Sequence, residues 1–355
     1  MSTTLDFSEL NQMIGQLFMA GLPGPELDAG TEYLIRDYSP GGLILFSRNV
    51  QDPVQVATLC RNIQEVAVKY HGRPMFLAVD QEGGRVARLR KPFTEFPGNE
   101  AIGSAADPVN KAREFGQITA HELKLVGINM DFAPVMDVRR GVPDKVLKGR
   151  TFSDDPEAVC LLGDTVIRTL QENGIMAVAK HFPGLGSTNI DPHFQLPIIN
   201  TDLEALEMIN LPPFFAAIKA NVAGIMTSHA IYPAFDADHS ATLSVFVLNE
   251  LLRKKMGYDG LIISDDLEMG AIANGRGVAQ GAADSLKAGA DIFLVCENQK
   301  YIKECVELIL GMLLRGEISN KRLHQSHERI EIVRSRFLGR EVRISLEKVK
   351  KYFRL

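Results

Sequence analysis

Eight short apolar runs recur along the chain, each bounded by glycine, proline or polar residues. They are QLFMA (16–20), GGLILFS (41–47), MFLAV (75–79), INMDFAP (128–134), IMAVAK (175–180), VAGIMTS (222–228), GLIIS (260–264) and DIFLV (291–295). Near-continuous apolar runs of this length suit strands buried on both faces of a parallel sheet. Most are separated by segments of helical spacing, such as PVQVATLCRNIQEVAVKY (53–70) and PEAVCLLGDTVIRTLQENG (156–174), the second with Gly174 placed to end it. Eight strand–helix alternations predict an α/β fold: a single (β/α)8 TIM-type barrel. An open, doubly wound sheet satisfies the same periodicity, because closure leaves no local mark.

A barrel of this type takes roughly 250 residues and often carries insertions, and the chain has 355. Residues 1–316 are expected to form the catalytic barrel and 317–355 a helical extension packed on it. The tail is rich in Lys, Arg and Glu, with apolar spacing in RIEIVRSRFLGR and VRISLEKVKKYF, which reads as terminal helices with solvated charged faces.

Charge and cysteine usage narrow the function classes. Lys and Arg total 39 against 44 Asp and Glu, a formal net charge of −5. That balance argues against a general nucleic-acid binder, which shows a basic patch or stripe. It leaves room for a local basic pocket that takes an anionic sugar. The first residues, MSTTLDFSEL, show no basic segment followed by an apolar run, and no apolar stretch is long enough to span a bilayer. Cys60, Cys160, Cys296 and Cys305 are widely spaced in apolar contexts and read as buried free thiols. A cytoplasmic protein is expected, acting as a monomer with neither nucleic acid nor membrane as partner.

Polar clusters follow several of the apolar runs: Asp80-Gln81-Glu82-Gly83-Gly84-Arg85, Asp131, Lys180-His181, Ser228-His229 and Asp265-Asp266. In a closed barrel these strand ends share the face where active sites are built. One aspartate after a strand is often only a helix cap, but caps explain five clusters poorly. Adjacent side chains on extended backbone diverge, so Asp265 and Asp266 are expected to have different jobs: one facing a substrate, the other orienting a neighbour or capping the next helix. Two caps remain the plainer reading. In AKHFPGLGSTNIDPHFQLP (179–197), Asp191 and His193 lie two residues apart in a loop rich in Gly and Pro. Asp191 bonded to one ring nitrogen would leave the other free for proton transfer, although a lone D-x-H is weak evidence. His181, His193 and His229 also permit a metal reading, yet neither H-E-x-x-H nor clustered Cys–His spacing is present. The glycine-rich pieces form neither G-x-G-x-x-G nor a Walker loop, so no metal and no nucleotide cofactor are expected.

These motifs together resemble glycoside hydrolase family 3, in its bacterial β-N-acetylglucosaminidase (β-hexosaminidase) branch of peptidoglycan recycling. The resemblance runs over residues 10–315 and is carried by LAVDQEGGRVARL (77–89), DFAPVMDV (131–138), GRTFSDDP (149–156), AKHFPG (179–184) and the IISDDLEMGAI region. It implies a retaining hydrolase with Asp265 as nucleophile, His193 as acid/base and Asp191 as its partner. It implies that Asp80, Arg88, Arg150, Lys180 and His181 bind an N-acetylglucosamine unit. Asp137 and Arg85 look like supporting residues, while His229 and Met269 lie near the implied site with no assigned step. The implied substrate is GlcNAc-1,6-anhydro-MurNAc or its peptide derivatives. The family's β-glucosidases generally carry a further domain after the barrel, and the D-x-H loop here stands in for the acid such a domain can supply. A β-glucosidase, a phosphorolytic hexosaminidase and a noncatalytic sugar-binding protein are the alternatives. One departure stands out. Where the branch commonly reads K-H-F-P-G-H-G-D-T, this chain reads K-H-F-P-G-L-G-S-T, with Leu185 for a histidine and Ser187 for an aspartate.

Overall fold

The computed structural model describes residues 7–141, 146–186, 196–339 and 343–355. All eight apolar runs form strands: β1 (Phe18–Gly21), β2 (Gly42–Leu45), β3 (Phe76–Val79), β4 (Met130–Asp131), β5 (Met176–Phe182), β6 (Gly224–Thr227), β7 (Leu261–Asp266) and β8 (Ile292–Val295). Each pairs in parallel with its sequence neighbour, and β8 returns to β1 through Phe18↔Phe293, which closes the barrel. The open sheet is thereby excluded. Every residue of β1, β2, β3, β6 and β8 is buried, as strands with a packed interior inside and helices outside must be. β4 is shorter than its apolar run, because Pro134 has no N–H to continue the ladder.

Helix placement follows local chemistry. Three of the outer helices begin with Asp-Pro: Pro53–His71, Pro108–Val126 and Pro156–Glu172. In each, the aspartate accepts backbone N–H groups of the first turn and the proline fixes the first helical φ. Gly174 follows the third at φ 88, a conformation that side-chain-bearing residues rarely adopt. The helix over 203–219 changes to π-form at Leu206–Asn210, just ahead of Pro212 and Pro213, which supply no N–H for the next α-turns. Among the described residues no helix is long and apolar enough to cross a membrane.

Helices Asn320–Phe337 and Leu346–Phe353 end the chain. The second lies against Pro53–His71 and sets Phe353 at 4.8 Å from Phe93. The first packs on the barrel with an exposed charged face, as expected, but also carries arginines into its packed side. Leu323, Ser326, Ile330, Val333 and Arg334 form its buried face, with Arg322 and Arg329 beside them. Arg322, Ser326 and Arg329 all reach Asp291, the residue just before β8, as does Arg253 from ahead of β7. Asp291 is fully buried and also accepts the Ile262 N–H at 3.0 Å. Burial pushes its carboxyl upward, but the three guanidiniums outweigh that and hold it low. Further donors of Arg253 and Arg322 end on the carbonyls of Tyr258, Gly260, Leu286 and Ala290, while Arg253 Nε and Arg322 Nη1 find no partner among the described residues. This cluster seals the N-terminal floor of the barrel.

Candidate active site

A cavity of about 490 Å³ opens at the opposite end, where the C-terminal ends of the strands converge. Asp80 follows β3, Lys180 and His181 belong to β5, and Asp265 and Asp266 end β7. Arg88 comes from the segment after a small hairpin, Gln81–Gly83 with Val86–Ala87, and Arg150 from the stretch leading to helix Pro156–Glu172. The hairpin turns through Gly83 and Gly84 at φ 85 and 59, and a Cβ on Gly84 would stand 3.1 Å from both Gly98 Cα and Pro97 O. Tight backbone approach here demands glycine.

Asp80, Arg88, Arg150, Lys180, His181 and Asp265 all line this cavity. The expected binding residues are therefore brought together. Asp80 joins two cations, with Oδ1 at 2.7 Å from Lys180 Nζ and Oδ2 at 3.0 Å from Arg88 Nη2. Burial would raise the Asp80 carboxyl, but Lys180 and Arg88 hold it well below the usual carboxylate range. Lys180 is itself buried, which disfavours its charge, yet Asp80 and Glu82 raise its pKa above the ordinary value. Both groups are charged at neutral pH.

His181 is fixed by Asp137. Its Nδ1 lies 2.8 Å from Asp137 Oδ2, while Asp137 Oδ1 accepts the Leu185 N–H at 2.6 Å. With Nδ1–H donated to a carboxylate, a neutral ring presents Nε2 as an acceptor, and Arg150 Nη2 lies 3.5 Å from it. In this tautomer His181 offers the cavity an acceptor. Asp137 thus orients His181, and Arg85 donates to the carbonyls of Val146 and Lys148.

The Asp265–Asp266 pair divides as extended backbone requires. Asp265 faces the cavity and accepts the Asp266 N–H at 2.9 Å. Asp266 Oδ1 accepts the N–H groups of Glu268 at 3.1 Å and Cys296 at 3.3 Å, so it caps the following turn and ties β7 to the end of β8. Burial, with Glu268 and Asp265 adding repulsion, pushes the Asp266 carboxyl up to about 7. His229 is fully buried: Nε2 donates to Asp266 O at 3.0 Å and Nδ1 lies 2.7 Å from Thr242 Oγ1. It braces the β7 loop. Met269 lines the cavity.

Asp191, His193 and Ser187 lie outside the described residues. Leu185 is described; it contributes an apolar surface to the cavity wall through a side chain that is otherwise buried. Among the described residues no three His, Cys, Asp or Glu side chains gather as a metal set would.

Two carboxyls matter more than the sequence reading allowed. Glu82 takes a two-pronged pair from Arg150, Nη2–Oε1 2.7 Å and Nε–Oε2 2.8 Å, and Oε1 also lies 2.7 Å from Lys180 Nζ. Burial raises Glu82 and those cations lower it, to about 2 overall. The available signal was its spacing from Asp80, since residues i and i+2 of extended backbone share a face. Gln81 between them turns the other way, accepting the N–H groups of Arg88 and Leu89. Asp131 is fully buried; Oδ1 accepts the Gln81 N–H while Oδ2 has no partner among the described residues. Burial raises this carboxyl well above its ordinary range, which matches an oxygen that no donor stabilises.

The sequence profile described as "Glycosyl hydrolase family 3 N terminal domain" matches residues 9–333. The chain is 36% identical over 291 residues to a β-hexosaminidase of Thiobacillus denitrificans, covering 81% of this chain and 79% of that protein. It is 39% identical over 283 residues to a β-hexosaminidase of Tolumonas auensis, covering 79% and 83%. Among solved structures, a family 3 β-N-acetylglucosaminidase from Paenibacillus sp. str. FPU-7 superposes with a TM-score of 0.91 at 36% identity, over 99% of this chain and 68% of that one.

Proposed function

The chain belongs to glycosyl hydrolase family 3, and from that premise we propose that it is a retaining β-N-acetylglucosaminidase whose nucleophile is Asp265. It is an enzyme, a glycoside hydrolase of the β-hexosaminidase kind that acts on GlcNAc-type sugars. The observation that carries the finer reading is Asp265 on the wall of a cavity that also presents Asp80 paired with Lys180 and Arg88, among apolar side chains such as Ile44, Phe46 and Met226. Such a wall offers directional donors to hydroxyls, with the nucleophile to one side.

In this reading Asp80, Arg88, Arg150, Lys180 and His181 hold the terminal sugar. Asp265 attacks the anomeric carbon while His193, oriented by Asp191, gives a proton to the departing oxygen. The glycosidic C–O bond breaks, and an α-linked glycosyl-Asp265 ester forms. His193 then takes a proton from water as that water attacks the same carbon. The ester bond breaks, Asp265 leaves as carboxylate, and the β configuration returns. The substrate proposed is GlcNAc-1,6-anhydro-MurNAc or a peptide derivative, met in the cytoplasm by a monomeric enzyme in the recycling of cell-wall fragments.

The test is turnover of 4-nitrophenyl β-N-acetylglucosaminide beside the matching β-glucoside, by the natural protein and by Asp265→Ala, with and without phosphate. Preference for the acetamido sugar, lost by about a thousandfold or more in Asp265→Ala, is the expected result. Preference for the glucoside moves the enzyme to β-glucosidase action. A sugar phosphate as product makes it a phosphorylase. Tight sugar binding without turnover makes it a binding protein.

A further inference from the structure

The cations of the cavity wall do not address a ligand from every direction, and the group that restrains them lies behind the wall. The Glu82 side chain is 1% exposed and does not line the cavity. It receives the Arg150 fork and stands 2.7 Å from Lys180, which is also 2.7 Å from Asp80. Of the three ammonium hydrogens, one goes to Asp80, while Glu82 holds Lys180 as an ion pair. A guanidinium has five. In Arg150, Nε and one Nη2 hydrogen go to Glu82, the other Nη2 hydrogen points to His181 Nε2 at 3.5 Å, and one Nη1 hydrogen goes to Val146 O at 3.2 Å. One Arg150 hydrogen remains.

We propose that Glu82 is a positioning residue that sets the hydroxyl selectivity of the sugar pocket, by fixing the Arg150 fork so that it keeps a single directed donor and by holding Lys180 beside Asp80. The proposal rests on the reading that these two cations bind sugar hydroxyls. Removing the Glu82 charge leaves both cations in place and still attractive to oxygen-rich ligands. What disappears is direction: Lys180 keeps only Asp80, and Arg150 loses the two-pronged pair that fixes its plane. A hydroxyl missing from the sugar then matters less than before.

The experiment measures kcat and KM for 4-nitrophenyl β-N-acetylglucosaminide and its 3-, 4- and 6-deoxy analogues. The natural protein is compared with Glu82→Gln, Glu82→Asp and Glu122→Gln. Glu122 is a buried carboxylate bonded to Thr94 and serves as the control for structural loss. In the natural protein, at least one missing hydroxyl is expected to lower kcat/KM by about 10- to 100-fold. In Glu82→Gln that penalty shrinks to within about 3-fold, while kcat/KM for the complete sugar falls by about 10-fold or more. Glu82→Asp, which keeps the charge but withdraws it by one methylene, falls between. Glu122→Gln keeps the natural penalties even where its melting temperature drops. Unchanged penalties in Glu82→Gln, or the same loss of discrimination in Glu122→Gln, overturn the proposal and leave the sugar-binding reading standing. If Glu82→Gln does not fold, unchanged penalties in Glu82→Asp overturn it equally. A natural protein that turns over the complete sugar but shows no penalty for any analogue overturns both.

Discussion

The two ends of the barrel each gather arginine or lysine around buried carboxylates, and they complete those gatherings differently. At the floor, Asp291 receives three guanidiniums, a serine and a backbone N–H, and the arginines spend further donors on four carbonyls. Both carboxylate oxygens are taken by protein. At the mouth, Asp80 and Glu82 hold Lys180, Arg88 and Arg150 on one side only, and the cations border a cavity. The same residue types thus make a clasp in one place and an instrument in the other. What separates them is whether the cluster is closed over by protein or borders a cavity.

That contrast breaks most sharply at Asp291. Asp291→Ala leaves three arginines facing one another without their shared anion, and its expected cost is about 3–5 kcal/mol of stability. Urea unfolding checks it, and KM of the protein that remains folded should not move. A floor mutant that raises KM while unfolding at the natural midpoint would erase the distinction. The converse is Lys180→Met, expected to lower kcat/KM by about 100- to 1,000-fold through loss of a buried, directed charge. Its urea midpoint should fall far less than that of Asp291→Ala, even though Asp80 and Glu82 lose a partner.

Asp266 sharpens the comparison through pH. Its carboxyl is raised to about 7 in the fold from an ordinary 3.8. Between those values the folded chain keeps a proton that the unfolded chain has released, so stability falls as pH rises from about 4 to 7. Asp266→Asn removes the titration and still accepts the Glu268 and Cys296 N–H groups. It should be more stable than the natural protein at pH 8, on the order of 1–2 kcal/mol, with the gain fading toward pH 4. Denaturant midpoints across that range test this, and a constant difference at all pH values would refute it. Arg329→Met should have the smallest effect, within about 1 kcal/mol. Arg329 is the most exposed of the three cations on Asp291, and the other two remain.

Much of this was legible in the residues. Strands buried on both faces must be apolar throughout, so the eight runs announce themselves, and Asp80, Lys180 and Asp265 stand out as polar groups just beyond them. Closure was not legible, because the pairing of Phe18 with Phe293 joins residues far apart in sequence. The roles within Asp80-Gln81-Glu82 depend on which way a hairpin turns, so three adjacent polar residues gave no ranking. The tail's packed helices were legible, but its contacts to Asp291 were not, because arginine counts as polar in any pattern of apolar spacing. Yet Arg322, Ser326 and Arg329 recur at helical intervals beside the apolar stripe, and a lone aspartate opening an apolar strand was their waiting counter-charge.

The return of β8 to β1 also has a consequence for synthesis. A nascent chain that ends short of residue 292 carries seven strands with two raw borders, one along β1 and one along β7. Each displays unmatched backbone groups on an apolar ribbon, the combination that invites pairing with another chain. Ribosomes stalled or messages cut before that point should therefore yield aggregates, and the cell has reason to shield the growing chain until its last strand arrives.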